Sequence, residues 1–305
     1  MNRLYFYICF IALLTMACAK EDSLTPSGIE ENYLAIPEDA TDPVSVLRRE
    51  FQERTGIHLL FNDTIRHEQQ GTYNDGTPIW YTETIDFNFH IVNSDDYGYR
   101  FGYITDYNEM VSASEAVETY ILPNFGEKVR PYSLFLVNSC SWEGYNSGEM
   151  KNGIWEEDHL NGLRCLCLSM GDFIDLSDEE KATYCTNLIQ GMVSDRLTNL
   201  TNDDTTLDAF YAFCEEYYYY YFDEVELPSG MDPDNMTAED MYTLGFLEDD
   251  FWLWFPGDEE DLVDYIDAIF NMDEEEFKAT YADYSIIIEK YDILKNIIVE
   301  MGYNI

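Results

Sequence analysis

Positive charge is scarce in this chain: 16 lysines and arginines stand against 61 aspartates and glutamates in 305 residues, a formal net charge of −45. A surface of that sign repels phosphate backbones and anionic lipid head groups over a screening length of about 10 Å, which excludes nucleic acid as a partner. Histidine is rarer still. The four, His58, His67, His90 and His159, include no two within one helical turn, so a zinc site built from a histidine pair on one helix is excluded. His67-Glu68 opens like such a motif but has Gly71 where a second histidine would stand. Cys-x-x-Cys spacing is absent, and with it any zinc ribbon. No repeat of solenoid period is present. The one apparent approach to a calcium loop, Asp232-Pro233-Asp234-Asn235 with Glu239-Asp240, lacks the glycine and terminal glutamate of an EF-hand. Acid spread along the whole chain suits solubility and spacing on a crowded surface.

What is present begins with an address. Asn2-Arg3 give a polar, positive start, and Leu4 to Leu14 form an apolar stretch shorter than the roughly 20 residues of a membrane-spanning helix, so residues 1–17 read as an export signal. Thr15-Met16-Ala17-Cys18 resembles a bacterial lipoprotein processing site, which makes Cys18 the lipid attachment residue and the membrane a partner through that anchor. Ala19-Lys20-Glu21-Asp22 resembles the Bacteroidetes signal for surface export, implying an outer-membrane, cell-surface location. An ordinary cleaved secretory signal is the alternative. Residues 18–40, polar and acidic with prolines, read as a tether.

The remainder is large enough to fold around a real core, in a chain rich in aromatics, with 25 tyrosines and 18 phenylalanines in its full length. Beyond the first twenty residues the cysteines are Cys140, Cys165, Cys167, Cys185 and Cys214, an odd number that implies no disulfide framework, although one incidental bond remains open. Cys165 and Cys167 alternate on one face of a strand. Asp42-Pro43 caps a helix over 42–55 that closes at Gly56. Strands are expected at 57–61, 80–92, 97–105, 132–137 and 163–169, a helix at 108–120, and a glycine loop at 144–153. Ser177-Asp178-Glu179-Glu180 is a capping box opening a helix to Leu197. Helices then follow at 207–222, 237–244, 259–271 and 274–301. The fold class is therefore α+β: one domain over 41–305, with a mixed α/β part containing a small sheet over 41–175 and a helical part over 176–305.

Several phrases carry a wider resemblance. Leu47-Arg48-Arg49-Glu50-Phe51 leads to Gly56-Ile57 and a strand. Phe135-Leu136-Val137-Asn138-Ser139 precedes a glycine loop and Gly162-Leu163-Arg164, and Leu244-Gly245-Phe246 precedes Glu260-Asp261. In order and spacing these resemble Bacteroidetes lipoproteins described as zinc-binding metallopeptidases or substrate-import-associated zinc metallohydrolases. The resemblance implies a zincin-like architecture. It also implies partnership with a TonB-dependent transporter and a substrate-binding lipoprotein. In that family the capped helix carries His-Glu-x-x-His, two imidazoles one turn apart around zinc with a glutamate that activates water. Here the motif falls on Gly191-Met192-Val193-Ser194-Asp195, so both histidines and the glutamate are replaced. The family's later acidic ligand falls on Asp264. A second register would place the motif on Cys214-Glu215-Glu216-Tyr217-Tyr218, again without histidine. The expectation is an inactive metallopeptidase-like fold with no catalytic residues and no metal, retained as a binding or accessory component of nutrient import. The alternative is an active zinc hydrolase with a rearranged site.

Two further stretches draw notice. Trp155-Glu156-Glu157-Asp158-His159 offers mixed ligands, but reads as a solvated acidic turn. The aromatics from Phe210 to Phe222 would surround a helix, and Phe251-Trp252-Leu253-Trp254-Phe255 forms a second cluster. Either these pack the core, or Trp252, Trp254 and Tyr217 present aromatic faces that suit glycan or peptide ligands.

Overall fold

The computed structural model describes residues 32–85, 87, 98–146, 151–162, 164–201, 203–247 and 253–305. The expected export signal, Cys18, His90 and Trp252 lie outside the described residues.

The chain is α+β. It runs α1 (Pro43–Thr55), β1 (His58–Leu60), β2 (Thr64–Thr72), β3 (Pro78–Thr84), β4 (Gly98–Tyr103) and α2 (Tyr107–Ala116), then β5 (Ser133–Asn146), β6 (Lys151–Glu157), β7 (His159–Asn161) and β8 (Cys165–Ser169). The helical part follows as α3 (Asp178–Thr198), α4 (Asp208–Tyr211), α5 (Ala238–Leu244), α6 (Asp258–Asn271), α7 (Glu274–Thr280) and α8 (Ser285–Met301).

Local chemistry sets most boundaries. Asp42 caps α1 by accepting from the Ser45 amide, Pro43 begins it, and Gly56 ends it in the left-handed conformation that only glycine adopts without cost. Ser177 and Glu180 close their capping box at the start of α3. The packed body reaches back into the expected tether: Leu34 packs on the sheet, and Arg49 donates to the carbonyls of Pro37 and Ala40.

The long strand β5 organises the larger sheet. Its first half is flanked by parallel β1 and β8, and its second half by antiparallel β4 and β6; β7 adds to β8. Leu134, Leu136, Leu166 and Leu168 enter the main core with α3, α6 and α8, whereas Phe135, Val137, Cys165 and Cys167 fill a smaller core on the other face. Cys165 and Cys167 thus share a face as their spacing dictates.

Several expectations are corrected. The glycine stretch 144–153 is not a loop throughout: Gly144 pairs with Gly153 inside the β5–β6 ladder. The indole of Trp142 lies across Gly144 and that of Trp155 across Gly153, so a Cβ at either would fall 2.8 Å from a ring. These glycines make room for tryptophans. The strand expected at 80–92 begins as β3 and pairs with β2 in a separate two-stranded ribbon; residues 88–92 lie outside the described residues. The helix expected at 207–222 is helical only over α4, and a chain of turns carries the rest. The helix expected at 274–301 is two, because the chain breaks to bring Tyr281 and Tyr284 edge-on against Tyr242 of α5.

Candidate functional site

A cleft of about 720 Å³ opens between the end of the larger sheet and the C-terminal half of α3. From α3 come Met192, Asp195 and Arg196, with Asn199 capping its C-terminal end, and spacings of three and four set them along one side of the helix. From β6 and β7 come Glu157 and His159; Tyr99 of β4 and Tyr303 near the C-terminus complete the wall.

The two elements meet at one imidazole. His159 Nε2 lies 3.3 Å from Asp195 Oδ2, an ion-pair distance, but the alignment is not that of a hydrogen bond, and this buried nitrogen has no hydrogen-bond partner among the described residues. One turn earlier, a Cβ at Gly191 would sit 3.5 Å from His159 Cε1. The two positions that the resemblance assigns to metal-binding histidines therefore both face His159, the histidine that β7 brings to the cleft. The stretch 155–159 is not a solvated turn: its alternate residues point inward along β6, and the His159 side chain is only 14% exposed.

Burial governs the charge states. It pushes the His159 imidazole below its ordinary value, outweighing the upward pull of Asp195, so the ring is neutral at neutral pH. Glu157 is raised, first by burial and then by the charge of Asp195 and Asp158. Tyr99 and Tyr303 are raised by burial; for Tyr303 the Arg196 guanidinium, hydrogen-bonded to its side chain, pulls the other way. The cleft thus presents a neutral proton acceptor, an exposed carboxylate at Asp195, a guanidinium and two phenols. Its described walls hold no serine, threonine or cysteine nucleophile.

Zinc needs three or four donors converging at about 2.0–2.3 Å. Among the described residues no group of three histidine, cysteine, aspartate or glutamate side chains is arranged to hold a metal. Gly191 and Met192 offer no suitable donor, and Asp264, half-buried on α6, does not line the cleft. The donor set does not fit the zinc that the resemblance implies. In the second register, Cys214 and Tyr218 are buried, and both join a polar cluster around Lys290 and Asp261.

The aromatic candidates separate. Tyr217 is buried, only 7% exposed, against Phe246 and Phe255, so it packs the core rather than presenting a ligand face. Trp254 is exposed, with its ring set edge-on to Tyr221.

Asp195 and Met192 were reached in sequence through the capped helix. His159 was named only within a stretch read as an acidic turn, and Arg196, Asn199, Tyr99 and Tyr303 were not reached. The alternation Trp155-x-Glu157-x-His159 is the signal that would have moved His159 from a turn to a strand. No family model, curated protein or solved structure matches this chain.

Proposed function

We propose that this chain is a lipid-anchored protein of the outer-membrane surface that holds a small ligand in the α3 cleft and does not hydrolyse it, as a binding component of a TonB-dependent import system. The observation that carries this reading is the His159 ring facing both Gly191 and Asp195: an imidazole from the sheet fills the space where a paired-histidine metal centre would be built. What surrounds it is suited to recognition. Asp195 and Asn199 accept or donate hydrogen bonds, Arg196 and Tyr303 offer donors, and Tyr99 and Phe87 supply apolar faces, the mixture of apolar wall and few polar groups typical of small-ligand clefts. A glycan or a short peptide fits that chemistry. The sequence around Cys18 supports the anchor, and the resemblance supports the transporter and substrate-binding lipoprotein as partners.

The test is a thermal-shift and calorimetry screen of the mature protein with neutral oligosaccharides and short peptides. We expect one class to bind and to be recovered chemically unchanged, with binding lost in Asp195→Asn and in Arg196→Ala while the unliganded melting temperature stays near wild type. Binding unaffected by both substitutions, or recovery of cleaved products, would overturn the reading, the second result in favour of a hydrolase with a rearranged site.

A further inference from the structure

A second concave site lies away from the cleft, where the turns after α4 meet the segment before α6. The two form a short antiparallel ribbon: Phe222 N–H donates to Leu253 O at 3.0 Å, Phe255 N–H to Tyr220 O at 2.9 Å and Tyr219 N–H to Pro256 O at 3.3 Å. Phe222 and Phe255 turn inward, where their rings meet at 4.8 Å, while Tyr219, Tyr221 and Trp254 face outward, 66%, 48% and 47% exposed, beside the equally exposed Tyr220 and Leu253. Large aromatics clustered at such exposure call for a reason beyond packing.

Their arrangement is specific. The Tyr221 and Trp254 rings stand 5.9 Å apart at 86°, two perpendicular walls. Tyr219 holds a left-handed backbone, φ +68°, unusual for a bulky residue, and its hydroxyl donates to Asp258 Oδ1 at 2.5 Å. A Cβ at Gly257 would run into that ring. Between these groups and Glu260 is a cavity of about 270 Å³. The side chains that open α6 beside it, Asp258, Glu259 and Glu260, are acidic, and no basic side chain lines the cavity.

We propose that this corner binds an organic cation, a quaternary ammonium group of the choline type. Ring faces carry negative quadrupole potential and attract a cation within about 6 Å, and walls at right angles let one methylated ammonium meet two faces at once. The carboxylates of Asp258 and Glu260 supply long-range attraction without needing to touch the ligand. A sugar ring stacks best on a flat aromatic platform, which perpendicular rings do not offer, and an anion is repelled.

The experiment is calorimetric titration of the mature protein with choline chloride and with 3,3-dimethylbutan-1-ol, its uncharged isostere, with glucose as the sugar control. We expect choline to bind and the isostere to bind roughly tenfold more weakly or not at all. Trp254→Ala and Tyr221→Ala should each weaken choline roughly tenfold with little change in melting temperature, Trp254→Phe should retain most of the binding, and Asp195→Asn in the cleft should leave it unchanged. Phosphatidylcholine vesicles form a further arm: their capture in competition with choline identifies a lipid head group as the source of the same cation. Equal binding of choline and isostere, a glucose signal that depends on Trp254, or no choline heat at millimolar concentration would overturn the proposal.

Discussion

His159 ties its protonation to folding. The unfolded imidazole takes up a proton near its ordinary 6.5, but burial lowers that value in the folded chain. Between the two values the unfolded state binds more protons, so the contribution of this group to stability is whole above about pH 6.5 and is lost as pH falls toward the folded value. Comparing urea midpoints near pH 7 and near pH 5, wild type should lose more stability on acidification than His159→Gln; equal losses would contradict the burial argument. Because the charge of Asp195 pulls the ring upward, Asp195→Asn should move the His159 titration to still lower pH, read directly from the imidazole proton resonances. Glu157 has the opposite sign. Its raised value means that it favours the folded state below its ordinary 4.5 and loses that contribution as pH rises, so Glu157→Gln should stabilise the protein near neutral pH, visible as a higher urea midpoint. At this scale the sequence exposed the acids but not their surroundings. Nothing in Trp155 to His159 taken alone says that a helix with Asp195 will cover it, because that contact spans the sheet and α3.

Between elements, the strongest joint in the helical part is Lys290 of α8. Its ammonium is fully buried, donating to both oxygens of Asp261 on α6 at 2.8 and 2.6 Å and to Gly245 O, just past α5, at 2.9 Å. It lies 3.3 Å from Cys214 Sγ and 4.6 Å from the ring centres of Phe210 and Tyr265. Tyr218 donates a further bond of 2.6 Å to Asp261, whose carboxyl burial pushes up against the pull of Lys290. Removing one member of such a pair strands the other, at a cost of about 3–5 kcal/mol. Lys290→Met should destabilise by that order in chemical denaturation, and adding Asp261→Leu should recover most of it; additive losses would contradict the pairing. Along α3, Gly191→Ala should stabilise by about 0.5–1 kcal/mol, since glycine is costly inside a helix and a methyl there meets His159 at ordinary contact distance. Gly191→His should destabilise instead, because a second ring would compete with His159 for the same space. The boundaries of α1, α3 and α5 were legible because caps and C-terminal glycines are local signals. The aromatic run 210–222 was not, because hydrophobic content alone does not separate a helix from turns that bury Phe210, Tyr217, Tyr218 and Phe222 and expose Tyr219, Tyr220 and Tyr221.

For the molecule as a whole, a net charge of −45 sets the background against which every local contact acts. Self-repulsion of that size destabilises the compact state and is screened by salt, so the melting temperature should rise by several degrees between low and physiological ionic strength; a fall would mean that attractive pairs outweigh the repulsion. The same charge leaves the α3 cleft and the aromatic corner in a field that discourages anionic ligands. One hydrophobic core joins the sheet to α3, α6 and α8, so the cleft is walled by elements fixed to a common interior rather than by separate lobes. The α+β class was legible from the change of periodicity near residue 170, whereas the sheet topology, built on one strand long enough to serve two sets of neighbours, leaves no local mark. The proposed function requires that a ligand be held in the α3 cleft and not cut. The most direct measurement is the zinc content of the purified mature chain, taken with a peptide-hydrolysis assay on the same sample. The account predicts zinc far below one ion per chain and no hydrolysis. Stoichiometric zinc that disappears in His159→Gln together with a hydrolytic activity would contradict it.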